Sequence, residues 1–203
     1  MSAQAEQEWD PARYEFSFPA VRYEGLLAAA PVPFKVWKVA QFLSTVLREA
    51  TSCLAAGAEL PPLLTGLAAV DYIAGFYVGR QTTRKDYIAF VERFLPGRYQ
   101  PHLDAIYRDL RCGLMHNLVV GSPWKPEGAA FLIVRDRADH LAVVDDRTVF
   151  SVLTFLEDVR RAWWKYAYHI VMLPDAEPLL QTRFAGRFNR LGGTKAIMVQ
   201  VAE

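Results

Sequence analysis

Apolar residues recur along most of this chain at intervals of three and four, the period of a helix with one face turned toward a core. Val36, Val39, Leu43, Val46, Leu47, Ala50 and Leu54 form one such stripe and Gly57 stops it, which predicts a first helix of about five to six turns. Pro61 and Pro62 preset the backbone for a second helix, whose apolar face is Leu63, Leu64, Leu67, Val70, Ile73, Ala74 and Tyr77. A third starts at Thr83, where Asp86 three residues on supplies a capping-box pair, and carries Tyr87, Phe90, Val91 and Phe94 as far as Pro96-Gly97. Pro101 opens a fourth, with Leu103, Ile106, Tyr107, Leu110, Leu114 and Leu118 on one side at about 100° per residue.

The period then changes. GSPWKPEG is a loop by its Gly and Pro content, and AFLIVRD and HLAVVDD, joined by a short polar turn, predict a β-hairpin over 129–145. Asp145 or Asp146 is the expected cap of a fifth helix carrying Val149, Val152, Leu153, Leu156, Val159, Trp163, Tyr166 and Ile170, with Pro174 beyond its end. A shorter sixth helix spans about 177–190, and a strand-like tail, AIMVQVA, follows Gly192-Gly193, suited to extend the hairpin or to pair with another chain. The expected organisation is an N-terminal arm over 1–32, a helical domain over 33–175, and a C-terminal helix and strand over 176–203 packed on that same domain. The fold class is mainly α, an up-and-down helical bundle with a small β-hairpin or sheet appendage.

Composition narrows the function classes. The chain has 203 residues, enough for one full core, and its formal charge of +1 makes no global demand for nucleic acid or membrane. Binding of either must come from a local patch. Arg160, Arg161 and Lys165 form one on the fifth helix and Arg183, Arg187 and Arg190 another on the sixth, each read first as a solvated face. Trp124 and the pair Trp163-Trp164 are read first as packing residues, though their rings suit stacking on bases. The two cysteines, Cys53 and Cys112, have no metal-ligand spacing and suggest neither a disulfide scaffold nor a zinc module, so a reducing, cytoplasmic setting is expected. No signal peptide is expected from the first residues, and the apolar run Leu63 to Gly79, broken by Asp71 and three glycines, reads as a buried helix rather than a membrane span.

No metal and no cofactor are expected. His102 and His116 share the fourth helix but lie about 21 Å apart at 1.5 Å per residue, and His140 and His169 have no companion at helical spacing. Neither a Gly-rich phosphate loop nor a nucleophile elbow is present. What remains is the run from Ala105 to Asn117, AIYRDLRCGLMHN, in which four residues separate Arg111 from His116. Arg135 and His140 share that spacing but fall beside the predicted hairpin turn, so helical context selects Arg111 and His116. An acid within the apolar second helix, Asp71, needs a partner if buried, and Arg111 or a tyrosine hydroxyl would serve.

With its helical frame, this Arg-x4-His run resembles the HEPN superfamily (higher eukaryote and prokaryote nucleotide-binding), whose hallmark is Arg, four to six residues, then His near the end of a core helix. The stretch from AAVDYIAGFYVGR to RCGLMHN is similar to little-characterised bacterial members, and the likeness covers about residues 34–172. It implies metal-independent RNA cleavage in a homodimer, as in toxins of toxin-antitoxin pairs, with Arg111 and His116 as the catalytic pair. Two residues five apart on an α-helix point about 140° away from each other, and in the resemblance two copies bring their Arg and His into one cleft. Arg108 and Asn117 are the expected substrate contacts and Asp71 the expected orienting residue. Cys112 stands where many active members carry Asn, Asp or His. A catalytically silent module that binds a nucleotide, RNA or a protein is therefore the alternative, followed by a structural helical dimer in which Arg111 merely pairs with an acid and His116 caps its helix.

Overall fold

The computed structural model describes residues 30–117 and 131–191. Helix α1 (Val32–Ala55) has Pro33 in its first turn and buries Val36, Val39, Ala40, Leu43, Leu47, Ala50 and Leu54, the stripe expected from the spacing. Helix α2 (Leu60–Val78) starts on Pro61 and Pro62 and stops at Gly79, whose φ of 75° is the left-handed conformation that glycine adopts without steric cost. Apolar nearly all round, α2 is the central helix: α1, α3, α6 and α7 (ranges below) all pack on it. By length and composition alone it could cross a membrane. In this fold it is the core.

Helix α3 (Arg84–Phe94) begins with both halves of the capping box: the Thr83 hydroxyl accepts from Asp86 N–H and the Asp86 carboxylate accepts from Thr83 N–H. The following segment is not one regular helix. A 3-10 turn (Gly97–His102) leads through a single turn, α4 (Leu103–Ala105), into a π-helix (Ile106–Cys112) and then α5 (Gly113–Asn117). Leu103, Ile106, Leu110 and Leu114 are buried as expected. Each π-helical residue advances by less than the α-helical 100°, so a wheel drawn at constant period misplaces the residues beyond it.

Strands β1 (Phe131–Val134), β2 (Val143–Val144) and β3 (Arg147–Ser151) form one sheet in the order β1-β3-β2. The expected hairpin between AFLIVRD and HLAVVDD is corrected here. These segments flank β3 instead of pairing with each other: β1 runs parallel to β3, from Phe131 beside Thr148 to Val134 beside Ser151, and β2 runs antiparallel to it. The true hairpin is β2-β3, turning through Asp145 and Asp146 with φ of 49° and 58°. Two left-handed residues make the type of turn that matches strand twist, and Asp tolerates them through its short polar side chain. Those aspartates therefore cap no helix.

Helix α6 (Val152–Met172) is instead capped by Ser151, whose hydroxyl accepts from Thr154 N–H, and Val149 belongs to β3. Its buried face includes Leu156, Val159, Trp163, Tyr166 and Ile170. Helix α7 (Pro178–Arg190) packs on α1, α2 and α6 through Leu180, Phe184 and Phe188, so this part of the C-terminal segment joins the same core. Rings dominate that core, with Phe76 stacked on Phe184 at 4.7 Å and Tyr166 edge-on to Phe90 and Phe94. The N-terminal arm up to residue 29, the loop containing Trp124, and the C-terminal strand lie outside the described residues.

Candidate functional site

Asp71 sits on α2, seven residues before its end, and faces the π-helix. Its Oδ2 accepts from Arg111 Nε at 2.8 Å and from Nη2 at 2.5 Å, while its Oδ1 accepts from the Thr82 hydroxyl at 2.9 Å. Both charged side chains are largely shielded, with 19% of Arg111 and 17% of Asp71 exposed. Burial by itself would lower the Arg111 pKa, but the carboxylate more than reverses this and raises it. The guanidinium also lies over the Tyr107 ring, 5.4 Å from its centroid.

One edge of Arg111 is thus fixed, and the other is presented outward. Nη1 points at His116 Nε2, 3.4 Å away, and toward Cys112 Sγ at 3.8 Å. A guanidinium can only donate, so a hydrogen bond here requires Nε2 as the acceptor, which is the tautomer with its hydrogen on Nδ1. The lone pair that a general base requires is then the one on Nε2, which faces Arg111 Nη1. His116 itself is exposed at the end of α5.

The two residues therefore meet within a single chain, contrary to the expectation that helical geometry keeps them apart until a second copy supplies the partner. The long Arg111 side chain spans the gap from the last turn of the π-helix to the imidazole on α5, so its reach and not its angle on the helix makes the contact. Beneath the pair lies Tyr87, fully buried, with its ring 5.2 Å from that of Tyr107. Burial drives the Tyr87 pKa far up and the Asp71 charge adds to it, so this hydroxyl stays protonated.

The remaining expected residues are placed differently. Arg108 turns its fork onto the adjacent Asp109, with Nε to Oδ1 at 2.6 Å and Nη2 to Oδ2 at 2.7 Å. Asp109 is fully buried, and Arg108, half exposed, covers it. Asn117 ends α5, and its side chain lies outside the described residues. Thr82 and Tyr107 contribute to the site although sequence reasoning singled out neither for it. Thr82 carries no signal, being one of two threonines in a short loop. Tyr107 occupies a position read as core.

The second Arg-x4-His pair is not a site of this kind. His140 is 7% exposed and Ser151 N–H donates to its Nδ1 at 2.9 Å, so the proton is on Nε2. From there the chain runs to the Tyr99 hydroxyl at 2.9 Å and on to Asp158 Oδ2 at 2.9 Å, an oxygen that also binds Arg98. Burial, assisted by the Arg98 and His102 charges, lowers the His140 pKa to about 4. This relay ties the sheet to the bundle, and no contact joins His140 to Arg135 among the described residues.

His169 and Glu177 pair at 2.5 Å beside Arg93. Among the described residues, no three His, Cys, Asp or Glu side chains gather as a metal-ligand set. The two tryptophans of α6 pack as expected, Trp163 buried and Trp164 under Arg160 at 5.1 Å. Fold and site together define a helical bundle with a small mixed sheet, bearing an Asp-clamped arginine in contact with an exposed histidine. No protein-family model, curated protein or solved structure matches the chain.

Proposed function

We propose that the protein is a metal-independent endoribonuclease of the HEPN type, acting in the cytoplasm as a homodimer. The observation that carries the reading is the contact between Arg111 Nη1 and His116 Nε2, made by an arginine whose other edge is held by Asp71. A phosphodiester entering between the two side chains would replace their mutual contact with contacts to its own oxygens. His116 Nε2 takes the proton of the ribose 2′-hydroxyl, whose oxygen forms a bond to the adjacent phosphorus. Arg111 Nη1, already aimed, stabilises the added negative charge on the phosphorane oxygens. The bond from phosphorus to the 5′-oxygen then breaks, and that oxygen takes a proton from water or from the imidazole of a second copy. A cyclic phosphate and a 5′-hydroxyl end are the products.

Asp71 fixes the guanidinium before substrate arrives, so no orientation is lost in the reaction. Asn117 and Arg108 remain proposed as substrate contacts, Arg108 by exchanging Asp109 for a backbone phosphate. In a toxin-antitoxin arrangement the binding partner is an antitoxin protein that covers this site. A silent RNA- or nucleotide-binding module is the second reading, favoured by Cys112, whose Sγ rather than a stronger acceptor stands beside Arg111 Nη1.

Incubation of the pure protein with mixed RNAs in the presence of chelator tests the reading. Cleavage leaving cyclic phosphate ends, abolished in His116→Ala, is the expected result. Intact RNA, or equal cleavage by the variant, overturns it.

A further inference from the structure

Helix α7 holds three arginines, Arg183, Arg187 and Arg190, and no acidic residue. Their spacing of four and three places them along one side of the helix, flanking the buried stripe of Leu180, Phe184 and Phe188. Among the described residues none of the three pairs with a carboxylate. Elsewhere the shielded Arg111 pairs with Asp71, and even the exposed Arg93 pairs with Glu177.

Arg187 is the telling member. It is half-buried, its Nε is shut off from solvent, and among the described residues that donor has no hydrogen-bond partner. The nearby Tyr72 hydroxyl is likewise buried and unpartnered. A partly desolvated guanidinium without a counter-charge is costly unless something anionic completes it. The C-terminal dipole of α7 offsets about half a charge, and the helix carries three.

Position gives this charge a use. The Arg187 guanidinium lies over Gly75 of α2, with Nε and Nη2 at 3.5 and 3.6 Å from where a Cβ would stand, while the backbone and the base of the side chain of Arg183 lie against Gly79. Gly75 is four residues beyond Asp71, so the two positions are neighbours on one helix face, about 5–6 Å apart. The Arg187 guanidinium therefore lies about one helical turn along α2 from the residue that clamps Arg111.

We propose that the Arg183-Arg187-Arg190 face of α7 binds the phosphate backbone of single-stranded RNA and leads it to the Arg111-His116 site. The inference rests on the ribonuclease reading for its substrate, but its test does not use cleavage. Three guanidinia along a helix suit successive phosphates and carry no base readout, so binding is tolerant of sequence.

Fluorescence anisotropy with a labelled 2′-O-methyl RNA, which lacks the attacking hydroxyl, measures binding to the intact protein over a salt series. In R183Q/R190Q and in R183Q/R187Q/R190Q affinity should fall, in the triple variant by tenfold or more at low salt. The slope of log K against log salt should shrink by about 2 in the triple variant, from about 0.7 per phosphate contact for single strands. R183K/R187K/R190K should retain the slope, and R183Q/R190Q, which spares Arg187, guards against misfolding. No binding of the RNA, unchanged binding by the glutamine variants, or equal binding of a polyglutamate competitor at matched charge would overturn the proposal. Binding that depends on α7 in a protein that cleaves nothing removes the ribonuclease reading alone, whereas cleavage without that dependence removes this inference alone.

Discussion

Asp71 and Arg111, forty residues apart in sequence, are joined through one carboxylate oxygen that accepts from both Nε and Nη2 of the guanidinium. The other oxygen is held by Thr82, so the clamp draws on α2, the π-helix and the loop before α3. Removing its charge should act on both stability and chemistry. In Asp71→Asn, urea unfolding should show a loss of about 1–3 kcal/mol, because a shielded guanidinium is left without its counter-charge. RNA cleavage should fall further than stability accounts for, by about 100-fold. Unchanged cleavage by a folded variant would show that the clamp is structural only.

Arg111→Lys keeps the charge but loses the planar fork that meets Asp71 with one edge and His116 with the other. The cleavage rate should drop by about 10²- to 10³-fold. Little change in KM is expected, since an ammonium still attracts phosphate. A variant with wild-type kcat would remove the oriented guanidinium from the mechanism.

His140 contributes to the pH dependence of stability. Its folded pKa, about 4, lies below the ordinary value of 6.5, so the unfolded chain binds the extra proton between those limits. The stabilisation is complete above about pH 6.5 and is lost as pH falls toward 4, amounting to about 3 kcal/mol. Protonation would place a hydrogen on Nδ1, where Ser151 N–H now donates. Urea midpoints at pH 7 and pH 4.5 should therefore diverge more in the wild type than in His140→Gln; parallel shifts would count against this assignment.

Gly66 of α2 packs tightly against α6. A Cβ there would stand 2.7 Å from Phe155 Cε1 and 3.1 Å from Leu156 Cδ2, both side chains being buried. Helix propensity favours Ala over Gly by about 1 kcal/mol, yet the overlap should outweigh it and leave Gly66→Ala about 1–3 kcal/mol less stable. A thermal midpoint at or above that of the wild type would contradict this packing.

The parts of the fold that could be read from sequence are those set by neighbours in the chain. The stripes of α1, α2 and α3, the proline starts and the Thr83-Asp86 box are local, and each stands as its spacing implies. The sheet is different, because β1 and β3 pair across an intervening strand. Its deciding turn uses Asp145 and Asp146 in a conformation that glycine or asparagine signals more clearly. Val149 and Val152 fit a helical period as well as a strand followed by a helix, so the start of α6 was misplaced into β3.

At the site, Asp71 was marked by being an acid among apolar residues, and its pairing with Arg111 follows from the cost of leaving either alone. The convergence of Arg111 with His116 was hidden because a helical wheel gives the direction in which a side chain leaves the helix and not how far a guanidinium reaches. A constant angle per residue then sends the two side chains apart. Thr82 enters only through the path of its loop.

Ser151 is at once the last residue of β3, the cap of α6 and the donor to His140, so no linker separates sheet from helix. Strand pairing and helix rotation are consequently geared together. A slip of β3 by one residue would turn α6 by about 100°, moving Val159 out of the core and bringing Arg160 toward it. The small sheet thus serves as the indexing pin for a helix that packs on α1, α2, α3 and α7.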